Sequence, residues 1–350
     1  MSDEWAPEGV YVDLATPIKD EEELSPPINF EALTRHLNYL EDTGVKGVVT
    51  PSYTGVGSTL GELSDPSSEH IEIVKHVANN TDLEVIAADR GFREGGSEYV
   101  KEVGSKLEKD DIEAHLVTNT FVLTPSQPFH SSTAFKRLEW HQVQDKITSY
   151  YEEIAEHLEK PIIASNTPHR GNPEITNETS LLLAENENIV GIRETTRNHE
   201  KLEKLADQLE ERVVEFNLGS GMDRYDNVVY SIGGTFTINS TANIYPEKVV
   251  ELWEKGYVEK DHEAASQILQ DLAPLYEALT LNEESERGSF EGVHPIHVNY
   301  ALELMGFDYG VPRAPLNRKP LEGYNQVFNE EFSQQSEIED VLNDFNLLNN

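Results

Sequence analysis

The sequence predicts an α/β protein, a (β/α)8 TIM barrel with a C-terminal helical extension. Three observations carry the expectation. Short, β-branched apolar runs alternate with longer stretches of helical period. Eight such runs fit within roughly the first 250 residues, the size of one barrel. No glycine-rich dinucleotide loop follows the first run, VYVDLATPIKDE, as it would in an open doubly wound sheet. The barrel is expected over 8–258 and the helical region over 259–345.

In chain order, the expected strands are VYVDLAT (10–16), GVVTP (47–51), LEVIAAD (83–89), EAHLVTN (113–119), PIIASN (161–166), NIVGIRE (188–194), RVVEFNL (212–218) and NVVYSIG (227–233). Helical patterns lie between them. NFEALTRHLNYLEDTG ends at Gly44, SEHIEIVKHVANN starts at Ser68, and EYVKEVGSKLEK starts at Glu98. WHQVQDKITSYYEEIAEHLEK follows from Trp140, TSLLLAENEN from Thr179 and EKLADQLEER from Glu203. YPEKVVELWEKG places Pro246 in a first helical turn, where proline is tolerated. The segment 219–226 is too short for a full helix between the last two runs. The extension reads as HEAASQILQDLAPLYEALTL from His262, HPIHVNYALELMGF from His294 and a polar helical tail.

Charge separates setting from function. The 350 residues include 65 acidic against 27 basic side chains, a formal net charge of -38, with a charged fraction of 26%. Acidic residues have replaced basic ones along the whole chain instead of forming a tail, as in EEIAEHLEK and EKLADQLEERVVE. Such a surface repels nucleic acid and destabilises itself in dilute buffer, and molar salt screens that repulsion. The composition resembles that of proteins from salt-accumulating archaea; an unusually acidic cytosolic protein is the alternative. No apolar run approaches the ~20 residues of a membrane span, and the N-terminus lacks the basic and apolar regions of a signal peptide. With no cysteine there is no disulfide, thiolate nucleophile or sulfur ligand. A cytoplasmic protein without membrane or nucleic-acid partners is expected. No P-loop or dinucleotide spacing appears, and no cofactor is expected.

In a barrel of this type the site lies at the C-terminal ends of the strands. That rule selects Asp13 and Thr16; Ser52, Tyr53 and Thr54; Asp89 and Arg90; Asn119 and Thr120; Ser165, Asn166, His169 and Arg170; Arg193 and Glu194; Asn217, Ser220 and Asp223; and Thr237 and Asn239. The result is a polar, partly cationic mouth suited to a small anionic ligand. No lysine stands at a strand's C-terminal end: Lys46 and Lys160 precede strands two and five, and Lys201 and Lys204 lie in the helix after strand six.

Several segments resemble the dihydrodipicolinate synthase and N-acetylneuraminate lyase family. GVKGVVTPSYTGVGSTLGELS resembles its second strand and GTTGE loop. PIIASNTPHRGNPEITNETSLLLAENENIVGIRETTRN resembles its fifth and sixth strands with their asparagine-x-proline-x-arginine run. GGTFTINSTANIYPEKVVELWEKG resembles its eighth strand and helix, and HPIHVNYALELMGFDYGVPRAPLNRKPL its closing helices. The resemblance spans roughly residues 8 to 320. It implies a homotetrameric barrel that cleaves or condenses 2-oxo acids through a lysine Schiff base.

The departures fall on that chemistry. Arg193 stands where the family has its lysine, and a guanidinium with a pKa above ~12 is no amine nucleophile. Ser165 stands at the strand-five tyrosine. Tyr53 and Thr54 fall at the paired threonines of GTTGE, with Val56 at its glutamate, and the tyrosine pair after strand four is absent from TNTFVLTPSQP. The catalytic candidates are therefore Arg193, Tyr53 and His169, and the substrate-binding candidates are Thr54, Ser165, Asn166 and Asn239. Arg193 either clamps a carboxylate or pairs internally with Glu194, Asp13 or Asp89. Tyr53 and Thr54 either position an anion or belong to a packed loop. His169 is an acid–base group or an inert loop histidine. Asp223 accepts a ligand hydroxyl or caps a turn. Asp13, Asp89, Glu194 and His169 form no recognisable metal-ligand pattern, and no metal is expected. Two functions follow: a lyase of 2-oxo acids or sugar acids that works without an imine, or a non-catalytic relative that binds such an acid or serves as an assembly subunit.

Overall fold

The computed structural model describes residues 5–19, 27–52, 54–55, 67–90, 96–119, 139–168, 173–212, 216–285, 288–293, 295–310 and 335–349. Eight strands pair in parallel and in sequence order: β1 (Gly9–Asp13), β2 (Gly47–Thr50), β3 (Glu84–Arg90), β4 (Ala114–Thr118), β5 (Ile162–Asn166), β6 (Ile189–Glu194), β7 (Asn217–Ser220) and β8 (Phe236–Asn239). β8 pairs back onto β1, Gly9 opposite Phe236 and Val12 opposite Asn239, and the barrel closes without an edge.

Around it lie α1 (Phe30–Glu41), α2 (Ser67–Ala78), α3 (Gly96–Leu107), α4 (Trp140–Ala155), α5 (Asn177–Leu183), α6 (His199–Arg212), α7 (Asp226–Ser231) and α8 (Pro246–Trp253). The helix starts follow from side chains that satisfy otherwise orphaned backbone N–H groups. Asn29 accepts from the Ala32 amide at 3.2 Å and Thr176 from that of Thr179 at 3.2 Å, while Pro246 opens α8. Three helices of the extension follow, α9 (His262–Leu279), α10 (Pro295–Leu304) and α11 (Gln335–Asp344). Their Leu272, Leu275, Val298 and Leu342 share one apolar cluster with Val10, Val12 and Val48 of the barrel wall. The extension is thus packed into the same core as the first strands. Among the described residues, no helix is long and apolar enough to cross a membrane.

Two strand expectations are corrected. The run NVVYSIG is not a strand: Asp226–Ser231 is helical, and β8 begins at Phe236. A run this short has no decisive period. The helix ends at Gly233, whose φ of +88° is the left-handed conformation that favours glycine at a helix end. The seventh strand starts at Asn217, because Arg212 still belongs to α6. A hairpin, β9 (Thr280–Ser285) with β10 (Gly288–Val293), was not anticipated within the extension.

Strand alternation sorts side chains between the barrel axis and the helix layer. Tyr11, Val49, Ile86, Ala88, Leu116, Ile163 and Phe236 fill the axis. At the N-terminal end of the barrel, Glu84 ties the floor together. It accepts from Tyr11 Oη at 2.7 Å and Trp5 Nε1 at 3.1 Å, and Lys46 Nζ lies 2.7 Å from its other oxygen.

Candidate functional site

Arg193 lies one residue beyond Ile192, which packs outward against the helices, so its side chain points into the barrel. In register it stands between Ser165 of β5 and Gly219 of β7. The residue is only 9% exposed. Its terminal Nη2 donates to the Gly221 carbonyl at 3.3 Å, while Nε has no hydrogen-bond partner. Gly221 makes this placement possible: a Cβ there would meet Nε at 2.3 Å. Burial lowers the guanidinium's pKa, and the charges of Asp13, Asp223 and Asp226 oppose that shift. Among the described residues, no carboxylate forms a direct ion pair with it within 4.0 Å.

Asp13 shares the inward face of β1 with Tyr11 and is 2% exposed. Its Oδ2 accepts from Thr54 Oγ1 at 3.0 Å and from Ser240 Oγ at 3.3 Å, and the two hydroxyls lie 2.9 Å apart. Its Oδ1 is buried without a partner, as is the Ser165 hydroxyl. Asp223 follows β7 and ties the loop after β8, accepting from the Thr241 amide at 2.8 Å and the Thr241 hydroxyl at 2.6 Å. Burial raises its pKa despite these bonds. Asp226, at the start of α7, accepts from Thr237 Oγ1 and Asn239 Nδ2 at 3.0 Å each. Burial, and then repulsion from Asp223, push it up to about 8.

The barrel wall separates residues that the sequence reading had grouped together. Arg193 and Ser165 face the axis, and Thr54 reaches it through Asp13. Asn166 and Asn239, expected to bind substrate, instead alternate with inward residues and face outward. Asn166 Nδ2 donates to both oxygens of Glu194, at 3.0 and 2.9 Å, and its Oδ1 accepts from the Ile175 amide at 3.0 Å. Asn239 Oδ1 accepts from the Ala242 amide at 2.9 Å, so that amide too is engaged inside the fold. Glu194 faces Lys201 at 3.0 Å, and Asp89 pairs with the buried His115. Neither acid is therefore the ion-pair partner of Arg193. Tyr53 and His169 lie outside the described residues.

His115 was missed by sequence reasoning, sitting in an apolar strand with no motif around it. It stacks charge between layers: Nδ1 bonds Asp89, and Nε2 lies 3.4 Å from Glu108 of the α3–β4 connection. Burial alone would lower its pKa, but the two carboxylates outweigh burial and raise it to about 9. Asp226 was also missed: it closes the segment 219–226, read as a short connection, and opens a helix whose remaining residues were read as a strand. Among the described residues, no cluster of three or more potential ligands could hold a metal ion.

A closed parallel barrel with a buried cation and carboxylates at its strand ends belongs to the TIM barrels that place a small-molecule site at this face. The chain belongs to the dihydrodipicolinate synthetase family, which it matches over residues 139–332. It is 30% identical over 312 residues to the 4-hydroxy-tetrahydrodipicolinate synthase of Methanopyrus kandleri, spanning 88% of this chain and 90% of that one. The 4-hydroxy-tetrahydrodipicolinate synthase of Archaeoglobus fulgidus is 29% identical over 312 residues, 88% of this chain and 92% of that one. The crystal structure of dihydrodipicolinate synthase from Thermotoga maritima superposes with a TM-score of 0.75 at 23% identity, covering 98% of this chain and 100% of that one. At that identity the likeness speaks for the fold alone.

Proposed function

We propose that the chain is a lyase of aldolase or hydro-lyase type that acts on a 2-oxo acid or sugar acid without forming an imine. Arg193 grips the carboxylate or stabilises an enolate, and Tyr53, His169 or a carboxylate moves the proton. Family membership supports the lyase type. The single observation that carries the rest is the inward guanidinium at the end of β6, on a barrel whose eight strands contain no lysine. Incubation with pyruvate and borohydride in high salt, read by intact mass, should leave the protein unmodified. A stoichiometric adduct mapped to a lysine of the barrel mouth would overturn the proposal.

A second reading is supported by the carboxylates around Arg193. Asp13, Asp223 and Asp226 compensate its charge from within, as they would in a non-catalytic relative that only binds an acid or joins an assembly. Turnover of any 2-oxo acid or sugar acid separates the two. The homotetramer and the salt-rich setting are part of the same proposal, the first from the family resemblance and the second from dispersed charge. Light scattering and circular dichroism across a potassium chloride series should show loosening or dissociation at low salt; unchanged mass and fold at millimolar salt would refute it.

A further inference from the structure

The polar groups left unpartnered on the axial side of the mouth are unequal in kind. Arg193 Nε–H can only donate, Ser165 Oγ can donate or accept, and Asp13 Oδ1, as a carboxylate oxygen, can only accept. Asp13 is also fixed. Thr54 and Ser240 both reach Oδ2, which leaves Oδ1 as its one unengaged oxygen. Asp13 and Arg193 both face the barrel axis at the C-terminal ends of their strands, and Asp13 heads the carboxylates whose charge opposes the lowering of the Arg193 pKa. Buried polar atoms without partners carry a desolvation penalty, and a ligand that supplies the missing partners removes it.

We propose that Asp13 is a specificity-determining residue, and that the ligand held at Arg193 must also present a hydrogen-bond donor, a hydroxyl or an ammonium, to Asp13 Oδ1. The inference rests on Arg193 holding the ligand's carboxylate. A bare 2-oxo acid does not satisfy the site: its carboxylate and its carbonyl are both acceptors, and neither pairs with Oδ1. An acid that bears a hydroxyl or ammonium satisfies both ends. A site that leaves a buried acceptor unpaired discriminates strongly against the ligand lacking the donor.

The test is calorimetric titration of the full-length protein in molar potassium chloride with 2-oxobutyrate, 2-oxogluconate, gluconate, alanine and serine. The wild type is expected to bind the donor-bearing acids roughly 10- to 100-fold more tightly than 2-oxobutyrate. The hydroxy-acid and amino-acid arms tell which donor is used. Asp13→Leu, checked for folding by circular dichroism, removes the acceptor without adding a polar group and should level that preference, whereas Arg193→Met should weaken every acid alike. Equal binding of 2-oxobutyrate by the wild type overturns the role of Asp13 while leaving the Arg193 reading intact, and that comparison needs no variant to fold. A preference that survives in a folded Asp13→Leu variant also overturns it. If no acid binds the wild type, the carboxylate clamp fails, and this inference fails with it.

Discussion

Arg193 and Glu194 are neighbours on β6, yet their surroundings are opposite. Glu194 points into the layer between barrel wall and helices, where Asn166 donates to both of its oxygens and Lys201 lies 3.0 Å away. Arg193 points to the axis, where Nη2 donates to the Gly221 carbonyl at 3.3 Å and Nε has no partner. The contrast extends around the barrel. In the outer layer, Asp226 is met by Thr237 and Asn239, and His115 is flanked by Asp89 and Glu108. On the axis at the mouth, Asp13, Ser165 and Arg193 each keep an unpaired atom. Asp89 Oδ1 and His115 Nε2 in the outer layer are also without a hydrogen bond, so direction is what distinguishes the two sets: outer polar groups face the helices, and inner ones face the mouth. A strand-end rule lists both sets together, and only the side of the wall separates them.

The sharpest way to break this comparison is to remove one cation from each side. Lys201→Met leaves the buried Glu194 carboxylate without its counter-ion and should cost about 3–5 kcal/mol of unfolding free energy. Arg193→Met removes a buried charge that makes a single long hydrogen bond, and should cost less than about 2 kcal/mol in the absence of ligand. Denaturant unfolding in high salt measures both. Equal losses would mean that Arg193 is a scaffold residue like Lys201, and the distinction between the two layers would collapse.

A smaller effect is expected from pH. His115 titrates at about 9 in the fold against 6.5 when free. The folded chain therefore keeps a proton that the unfolded chain releases, and its stabilisation is complete below pH 6.5 and fades as pH rises through about 9. Asp226 acts in the same direction at lower pH. Its folded value of about 8 lies above the free value of 3.8, so stability falls as pH rises between them. Melting temperatures of wild type and His115→Gln between pH 6 and 10 isolate the histidine. The wild type should lose more stability than the variant across that interval, and parallel curves would show that the buried pair stores no proton-linked stability.

Much of the barrel was legible because its signals are local. An apolar β-branched run such as IIASN or IVGIRE has few ways to hide its backbone except in a closed, covered sheet. Asn29, Thr176 and Pro246 mark helix starts by their own chemistry. The failures were also physical: Asn227–Ser231 is too short for its period to decide between helix and strand, and the β9–β10 hairpin has no turn chemistry that separates it from the helical extension around it.

Within the site, the sequence by itself determined that a guanidinium, and no amine, ends β6, and that Asp13, Thr54 and Ser165 stand at strand ends beside it. It could not determine which side of the wall each polar residue faces. A single residue of register exchanges inside for outside, and register is set by the barrel's closure and by the bulge where Ile162 and Ile163 of β5 pair with β6. Tertiary structure alone therefore turned Asn166, Glu194 and Asn239 into wall braces, joined Thr54 and Ser240 on one oxygen of Asp13, and left the other oxygen unpaired.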